Sequence, residues 1–260
     1  MTQNYKLKIA YDGTRYYGWE HQPDQETIQG KIEMVLARMC NLEMTQRDFM
    51  APDSPIKVIG AGRTDAGVHA RAMIANVVLD TELSEEEIRD YMNRYLPDDI
   101  AIQDVRKCAE RFHARYKAAG KTYQYTIFDG AVKPVFNRKY YTALDEELDI
   151  DAMVEAANLL KGEHDFKSFC GNPKMKKSTV RIVDRTTNSE ILNSMRTLRA
   201  ASPSALSETA SPVDLITGVY HGTILSSLIS KATSSTSQRR PGLQEMFSSR
   251  RIRSPLQMSM

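Results

Sequence analysis

The sequence predicts an α+β fold, in which a mostly antiparallel sheet carries helices on one face. Two periodicities support this class: some short segments alternate apolar and polar residues as strands do, and others repeat apolar residues at helical spacing. Predicted strands also occur in pairs as well as alternating with helices, which favours antiparallel pairing. The order of segments allows two related βαβ-type halves around a central cleft, residues 1–107 and 108–185.

The elements of the first half follow from local patterns. Residues 5–14 alternate in polarity and predict a strand, whereas residues 27–40 carry apolar residues at helical spacing and predict a helix. Ser84, with Glu87 three residues later, forms the capping-box pattern that begins a second helix. Three more strands are predicted at residues 55–62, 71–80 and 100–108.

The second half shows the same mixture of patterns. Residues 121–129 and 177–185 predict strands, and Tyr125 is expected in the core. Residues 150–162 predict a helix with Gly162 as its C-cap, because glycine adopts the backbone angles that end helices.

Composition excludes several classes of protein. The chain has 260 residues and a formal net charge of +2, and no run of about 18 apolar residues predicts a membrane span. The N-terminus lacks an apolar signal region, so we expect a cytoplasmic protein. Its three cysteines are far apart and show no CxxC spacing, so neither a metal site nor a disulfide framework is predicted.

Basic residues cluster in two segments. Residues 106–125 interleave lysines and arginines with phenylalanine and tyrosines, and residues 174–185 add further lysines and arginines. Such stripes suit a nucleic-acid backbone whose bases stack on aromatic rings. A solvated helix or strand face explains them equally well from charge alone.

The most unusual stretch is "GAGRTDAGVHA", residues 60–70. Its three glycines permit backbone angles that a Cβ forbids and let a ligand approach closely. An aspartate in such a loop is either a turn residue bonded to its own backbone or a functional carboxylate. His69, a single histidine among small residues, is expected to be structural.

This loop closely resembles the signature of the tRNA pseudouridine synthase A (TruA-type) family. Residues 11–33 resemble the opening strand, loop and helix of that family, and residues 112–127 and 162–171 resemble its later segments. The similarity extends over about residues 5–185.

The resemblance implies a function and a set of residues. Members of the family need no cofactor or metal, isomerise uridines 38 to 40 of the tRNA anticodon stem-loop, and generally act as homodimers. By position, Asp65 matches the catalytic nucleophile, Arg63 the arginine that orders the site, and Tyr123 the ring that packs on the target base. Weaker tRNA-binding candidates are Arg115, Lys121, Lys176 and Lys177. The aromatic run Tyr16, Tyr17, Trp19 and His21 either contacts tRNA or closes the end of the sheet.

The resemblance stops near residue 185. Residues 186–260 contain 16 serines, against four in the first 185 residues, and read as a low-complexity tail. The Gly-x-Gly-Phe strand end and Met-Val-Arg helix that the resemblance implies, with an arginine that pairs with the catalytic aspartate, are missing from this tail. One explanation is a shifted reading frame near codon 186, with which the bases of "SETAS" (207–211) are compatible, because they can encode Gly-Asp-Gly-Phe one position over.

Three outcomes are therefore open for this chain. It is an active tRNA uridine isomerase, a catalytically silent tRNA-binding remnant, or a poorly folded product. We expect residues 186–260 to be disordered or loosely packed, and the isomerase activity to be low or absent.

Overall fold

A computed structural model describes residues 2–42, 54–145, 148–170, 178–192 and 195–203, with the backbone alone from residue 187 onward. Lys176, Lys177 and residues 204–260 lie outside these ranges, so expectations for them remain predictions. The described part confirms the α+β class, with three α-helices and mainly antiparallel sheets.

The first half is a four-stranded antiparallel sheet covered by two helices. Its strands are β1 (Thr2–Tyr11), β2 (Ile59–Gly60), β3 (Ala70–Asp80) and β4 (Ile100–Lys107), in the spatial order β2-β3-β1-β4. Alternate residues of β1, such as Leu7 and Ile9, are fully buried in one core with Ile32 and Met92 of the two helices. Alternation in the strand and helical spacing in the helices thus meet at a single apolar interface.

Each of the two helices is capped at its N-terminus by the side chain of the residue that precedes it. In α1 (Ile28–Met39) the Thr27 hydroxyl accepts a hydrogen bond from the Gly30 N–H at 3.2 Å. In α2 (Glu85–Tyr95) the Ser84 hydroxyl accepts from the Glu87 N–H, and the Glu87 carboxylate accepts from the Ser84 N–H at 2.8 Å. The predicted capping box is therefore confirmed.

Two buried asparagines fasten the connection between the halves to the first sheet. The Asn4 side-chain amide donates to the carbonyls of Ala109, Glu110 and Phe112, at 2.9 to 3.2 Å. The Asn76 amide donates to Asn4 Oδ1 at 3.1 Å, and its own oxygen accepts from the Ala114 N–H at 2.8 Å. These bonds satisfy backbone groups of a non-repetitive segment and hold it against the first sheet.

The second half is built around a second sheet and one helix. Its elements are β5 (Gly120–Phe128), β6 (Thr142–Ala143), α3 (Ile150–Leu159), β7 (Gly162–Asp165), β8 (Val180–Val183), β9 (Arg185–Leu192) and β10 (Met195–Pro203). The sheet order is β6-β5-β10-β9, with β6 parallel to β5, while β7 and β8 form a separate antiparallel pair. Ile127 and helix residues Met153, Ala156 and Ala157 form a small second core.

The structure differs from the predicted tail over residues 186–192 and 195–203. These residues form most of β9 and all of β10, and β10 pairs with β5 along its whole length, from Met195 opposite Phe128 to Pro203 opposite Gly120. Backbone N–H and C=O groups at an open strand edge bind another strand largely independently of its side chains, so composition is a poor guide there.

Smaller differences concern boundaries. The strand predicted at residues 55–62 is only the two residues of β2. Helix α3 ends at Leu159 with Leu160 as C-cap, and Gly162, with φ +95°, begins β7 instead. The strand predicted at 177–185 is divided by Asp184 into β8 and the start of β9.

Candidate active site

The loop at residues 60–70 directs neighbouring side chains to opposite sides. Thr64 is buried, whereas Arg63 and Asp65 are exposed. The Thr64 hydroxyl lies 2.9 Å from the Tyr11 hydroxyl at the end of β1. Successive side chains along this segment of the chain point to opposite sides. Because Thr64 is anchored inward, the side chains of Arg63 and Asp65 face solvent.

Residues 13–19 lie directly against this loop. The Trp19 N–H donates to the Thr64 carbonyl at 3.0 Å. Gly18 has φ +93°, and a Cβ at this position would lie 2.4 Å from the same carbonyl oxygen. Only glycine fits so close an approach in this conformation, so the two segments pack as one unit.

Arg63 forms an ion pair with Glu20, its Nη2 lying 2.5 Å from Glu20 Oε1. Among the described residues, the Asp65 carboxylate has no ion pair and no side-chain hydrogen bond, although its backbone carbonyl accepts from the Val68 N–H at 3.2 Å. The carboxylate is therefore accessible to a ligand. The role of Arg63 in ordering the site stays a prediction.

A polar cluster near the loop joins the two halves, and no pattern in the sequence indicates it. The Tyr140 hydroxyl donates to Asp12 Oδ2 at 3.0 Å, across 128 positions of sequence. Asp12 Oδ1 lies 3.0 Å from Nδ1 of the buried His69, whose Nε2 lies 3.2 Å from the Lys139 carbonyl oxygen. His69 thus bridges the loop and the second half, which fits the structural role expected for it.

The environment of Asp12 favours its ionised form. Burial by itself raises the pKa of Asp12, but hydrogen bonds from the Thr14 hydroxyl and N–H and from the Tyr140 hydroxyl outweigh this effect and lower the pKa to about 2. A carboxyl whose pKa is lower in the folded chain stabilises the fold above its unfolded pKa, and this contribution is lost as the pH falls toward 2.

Asp12→Asn is therefore expected to weaken the pH dependence of stability between about pH 4 and pH 2. Urea midpoints measured across this range should fall less steeply for the variant than for the starting chain. Asp98→Asn, a change at a nearby exposed aspartate, is the matched control. Equal slopes for the starting chain and Asp12→Asn would contradict this assignment.

A cavity of about 740 Å³ separates the two halves beside this cluster. The first half contributes Asp12, His69 and Arg71 to its lining, and the second contributes Gln124 and Tyr140. Asp65, Arg63 and Tyr123 are not among the lining residues. The three predicted site residues therefore do not come together in this cavity.

Tyr123 lies half-buried on β5, opposite Ala200 of β10. Strand alternation places it on the face of Tyr125 and Ile127, away from the cavity-lining Gln124. Burial raises the pKa of Tyr123, and the positive charge of Arg181 partly opposes this. Tyr125 packs against the second core, as expected, and burial together with Tyr123 raises its pKa to about 12.

The described basic candidates lie close to one another. Arg115 is exposed and Lys121 is half-buried. Burial lowers the pKa of Lys121, and the positive charges of Arg115 and Arg181 lower it further. Three cations in one neighbourhood repel one another and attract an anion, the arrangement expected of a phosphate-binding surface.

The aromatic run divides between core and surface. Tyr16 and Trp19 are buried, which supports the closing role at the sheet end, whereas Tyr17 is 51% exposed. The His21 side chain is buried, with Nε2 2.7 Å from Oε2 of Glu33.

No group of three or more histidine, cysteine, aspartate or glutamate side chains that could hold a metal ion occurs within the described ranges. In the same part of the chain, no helix is both long and apolar enough to cross a membrane.

Comparisons with known proteins agree on one family. A family profile described as tRNA pseudouridine synthase matches residues 8–117, which include the loop. A protein named tRNA pseudouridine synthase A from Bacillus sp. (strain KSM-64) is 44% identical over 185 residues, 71% of each chain. Proteins named tRNA pseudouridine synthase A 2 from Bacillus anthracis and Clostridium perfringens (strain 13 / Type A) are 42% and 37% identical to this chain. Each alignment spans 69% of the relative, and the two span 69% and 70% of this chain, respectively.

A solved structure titled "Crystal Structure of a Cbf5-Nop10-Gar1 Complex" aligns with 77% of this chain and 50% of its own, at 12% identity and a TM-score of 0.30. A structural similarity this low supports no conclusion. The sequence relatives show the family, because they share over a third of their residues with this chain across more than two thirds of their length. The chain belongs to the tRNA pseudouridine synthase A family.

Proposed function

We propose that this chain converts uridine to pseudouridine at positions 38 to 40 of the tRNA anticodon stem-loop, with Asp65 as the nucleophile. The observation that carries the proposal is the exposed Asp65 carboxylate, which has no ion pair among the described residues and lies next to an anchored Thr64. A carboxylate held on a rigid loop, with its oxygens open to solvent, suits attack on a nucleotide that has left the helix.

The reaction needs few protein groups. The N1–C1′ bond of uridine breaks, the uracil rotates, and a C5–C1′ bond forms; C5 loses its proton and N1 gains one. A carboxylate can attack the sugar or base while the glycosidic bond breaks. The target must first leave the base stack, at a cost of a few kcal/mol. Arg63, exposed beside Asp65, is the residue that we assign to ordering this step.

Cationic side chains are proposed to hold the tRNA backbone. Arg115 and Lys121 belong to the described part of this surface, and Lys176 and Lys177 extend it in sequence. Neutralising phosphates releases bound counterions, so affinity should fall with rising salt. By analogy with its family, we propose that the chain acts as a homodimer.

The substitution pair Tyr123→Phe and Tyr123→Leu tests the proposed stacking on the target base. Phenylalanine keeps the aromatic face and loses the hydroxyl, so tRNA binding should hold; leucine should weaken binding by about 1–3 kcal/mol, the usual contribution of one stacked base. Filter binding at fixed salt measures this. Tyr125→Leu, on the same strand face, shows the effect of general repacking. If the three affinities at position 123 are equal, Tyr123 does not stack on a base.

A second candidate function is binding of tRNA without catalysis. Two observations favour it. The relatives match only 181 to 185 residues of this chain. Four apolar side chains of α3 and β8 are at least 40% exposed: Val154, Leu159, Val180 and Ile182. An uncovered apolar surface of this kind is expected where a covering segment is missing.

An isomerisation assay on the intact chain separates the two functions. Stem-loops carrying uridine labelled with tritium at C5 release the label on conversion, and replacing positions 38 to 40 by cytidine controls for the site. We expect binding with turnover well below that of the Bacillus sp. relative, and cleavage within residues 186–260 by limited proteolysis. Full turnover with a protease-resistant tail would exclude the silent remnant.

A further inference from the structure

The hydrogen bond between Tyr11 and Thr64 links the core of the first half to the loop that carries Asp65. The two hydroxyl oxygens are 2.9 Å apart, and both residues are buried, with 4% and 5% of their surface exposed. Tyr11 is the last residue of β1, and β1 lies between β3 and β4 and pairs with both strands. The bond therefore joins the loop to a rigid part of the sheet.

The hydroxyl of Tyr11 and its ring make different contacts, and the hydroxyl is the group that bonds to Thr64. Its ring lies 6.0 Å from the ring of Trp19, centroid to centroid, and belongs to the main core. Phenylalanine would keep this packing. The contribution of Tyr11 to the core and its contribution to the loop can therefore be separated by removing a single oxygen atom.

Thr64 stands between the two charged residues of the loop. Its hydroxyl is fixed by Tyr11, and its carbonyl accepts from the Trp19 N–H at 3.0 Å. Because the hydroxyl and the backbone carbonyl of Thr64 are both bonded inward, Arg63 and Asp65 face solvent. Without the hydroxyl bond, a buried polar group loses its partner, and rotation of the segment toward water becomes favourable.

We propose that Tyr11 is a positioning residue, whose hydroxyl holds Thr64 inward and thereby fixes the direction of the Asp65 carboxylate. The kinetic part of the proposal rests on the proposed function of Asp65. A reactive group displaced by about 1 Å can lose about a hundredfold in rate while substrate binding is unchanged. The expected signature is thus a loss of kcat with little change in KM.

Four variants test it: Tyr11→Phe, Thr64→Val, Thr64→Ser and Tyr5→Phe. Tyr5 is a buried tyrosine on the same face of β1 that makes no bond to the loop, so it is the matched control. Tyr11→Phe and Thr64→Val should each lower kcat about ten- to a hundredfold with KM within about twofold. Thr64→Ser should restore most of kcat, and the double variant Tyr11→Phe/Thr64→Val should be no worse than either single change.

Amide hydrogen exchange tests the same bond without any turnover. The Trp19 N–H bonds to Thr64, and the Gly67 N–H donates to the Tyr16 carbonyl at 3.2 Å, so both amides report on the loop. Their exchange should become at least about tenfold faster in Tyr11→Phe, while the Met73 amide in β3 keeps its rate. If the starting chain shows no turnover, the proposed function is wrong but the positioning role can still be tested, because amide exchange reports on the hydrogen bond between Tyr11 and Thr64 without any turnover. Exchange rates in Tyr11→Phe equal to those in Tyr5→Phe would overturn the positioning role.

Discussion

Asp65→Asn should reduce pseudouridine formation by at least about a thousandfold, because the amide is not a nucleophile and its shape is nearly unchanged. The affinity for tRNA should stay within severalfold, since the Asp65 side chain holds no other described group in place. Tritium release from C5-labelled anticodon stem-loops measures the rate, and filter binding measures the affinity. The two readings together distinguish lost chemistry from lost binding.

Asp90→Asn is the matched control for this change, because Asp90 is an exposed aspartate of α2 whose one ion pair among the described residues is with its neighbour Arg89. Its rate and affinity should equal those of the starting chain. If Asp65→Asn converts uridine at the starting rate, Asp65 is not the nucleophile, and the open carboxylate of the loop has another purpose.

Glu33→Ala should lower the free energy of unfolding by about 3 kcal/mol or more, the largest stability effect that we expect from one substitution. Glu33 is fully buried in α1 and acts as an acceptor for three groups. Its Oε1 accepts from the Gln29 side-chain amide and from the Val58 N–H, both at 2.8 Å, and its Oε2 lies 2.7 Å from His21 Nε2. Alanine leaves all three without an acceptor, and each unsatisfied buried group costs about 1–3 kcal/mol.

Urea unfolding measures the loss. Glu33→Gln should cost less, since one amide oxygen can still accept, and Glu26→Ala should cost under about 1 kcal/mol because Glu26 forms an exposed ion pair with Lys31. A Glu33→Ala chain as stable as the Glu26→Ala chain would show that water reaches this site. Because Val58 is two residues before Gly60, we also expect lower activity from the destabilised variant.

Local features of the fold could be predicted because their causes are local. The capping box of Ser84 and Glu87 depends on groups three residues apart, and the burial of β1 depends on alternate side chains. The loop at residues 60–70 was singled out for the same reason, since its composition is unusual within eleven positions. Strand length at β2 was overestimated because pairing with β3, and not propensity, limits it to two residues.

The sequence alone determined the family, the α+β class, and the presence of an Arg-Thr-Asp loop between strands. Only the tertiary structure decided which side chains of this loop face solvent, that Arg63 pairs with Glu20, and that Asp12, His69 and Tyr140 meet. It also decided that β10 pairs with β5 after the recognisable sequence ends, and that Tyr123 faces away from the cavity between the halves. The physical reason is the range of the interactions: caps and periodicity act within a few residues, whereas these contacts join positions 40 to 130 residues apart and depend on how sheets pack and strands pair.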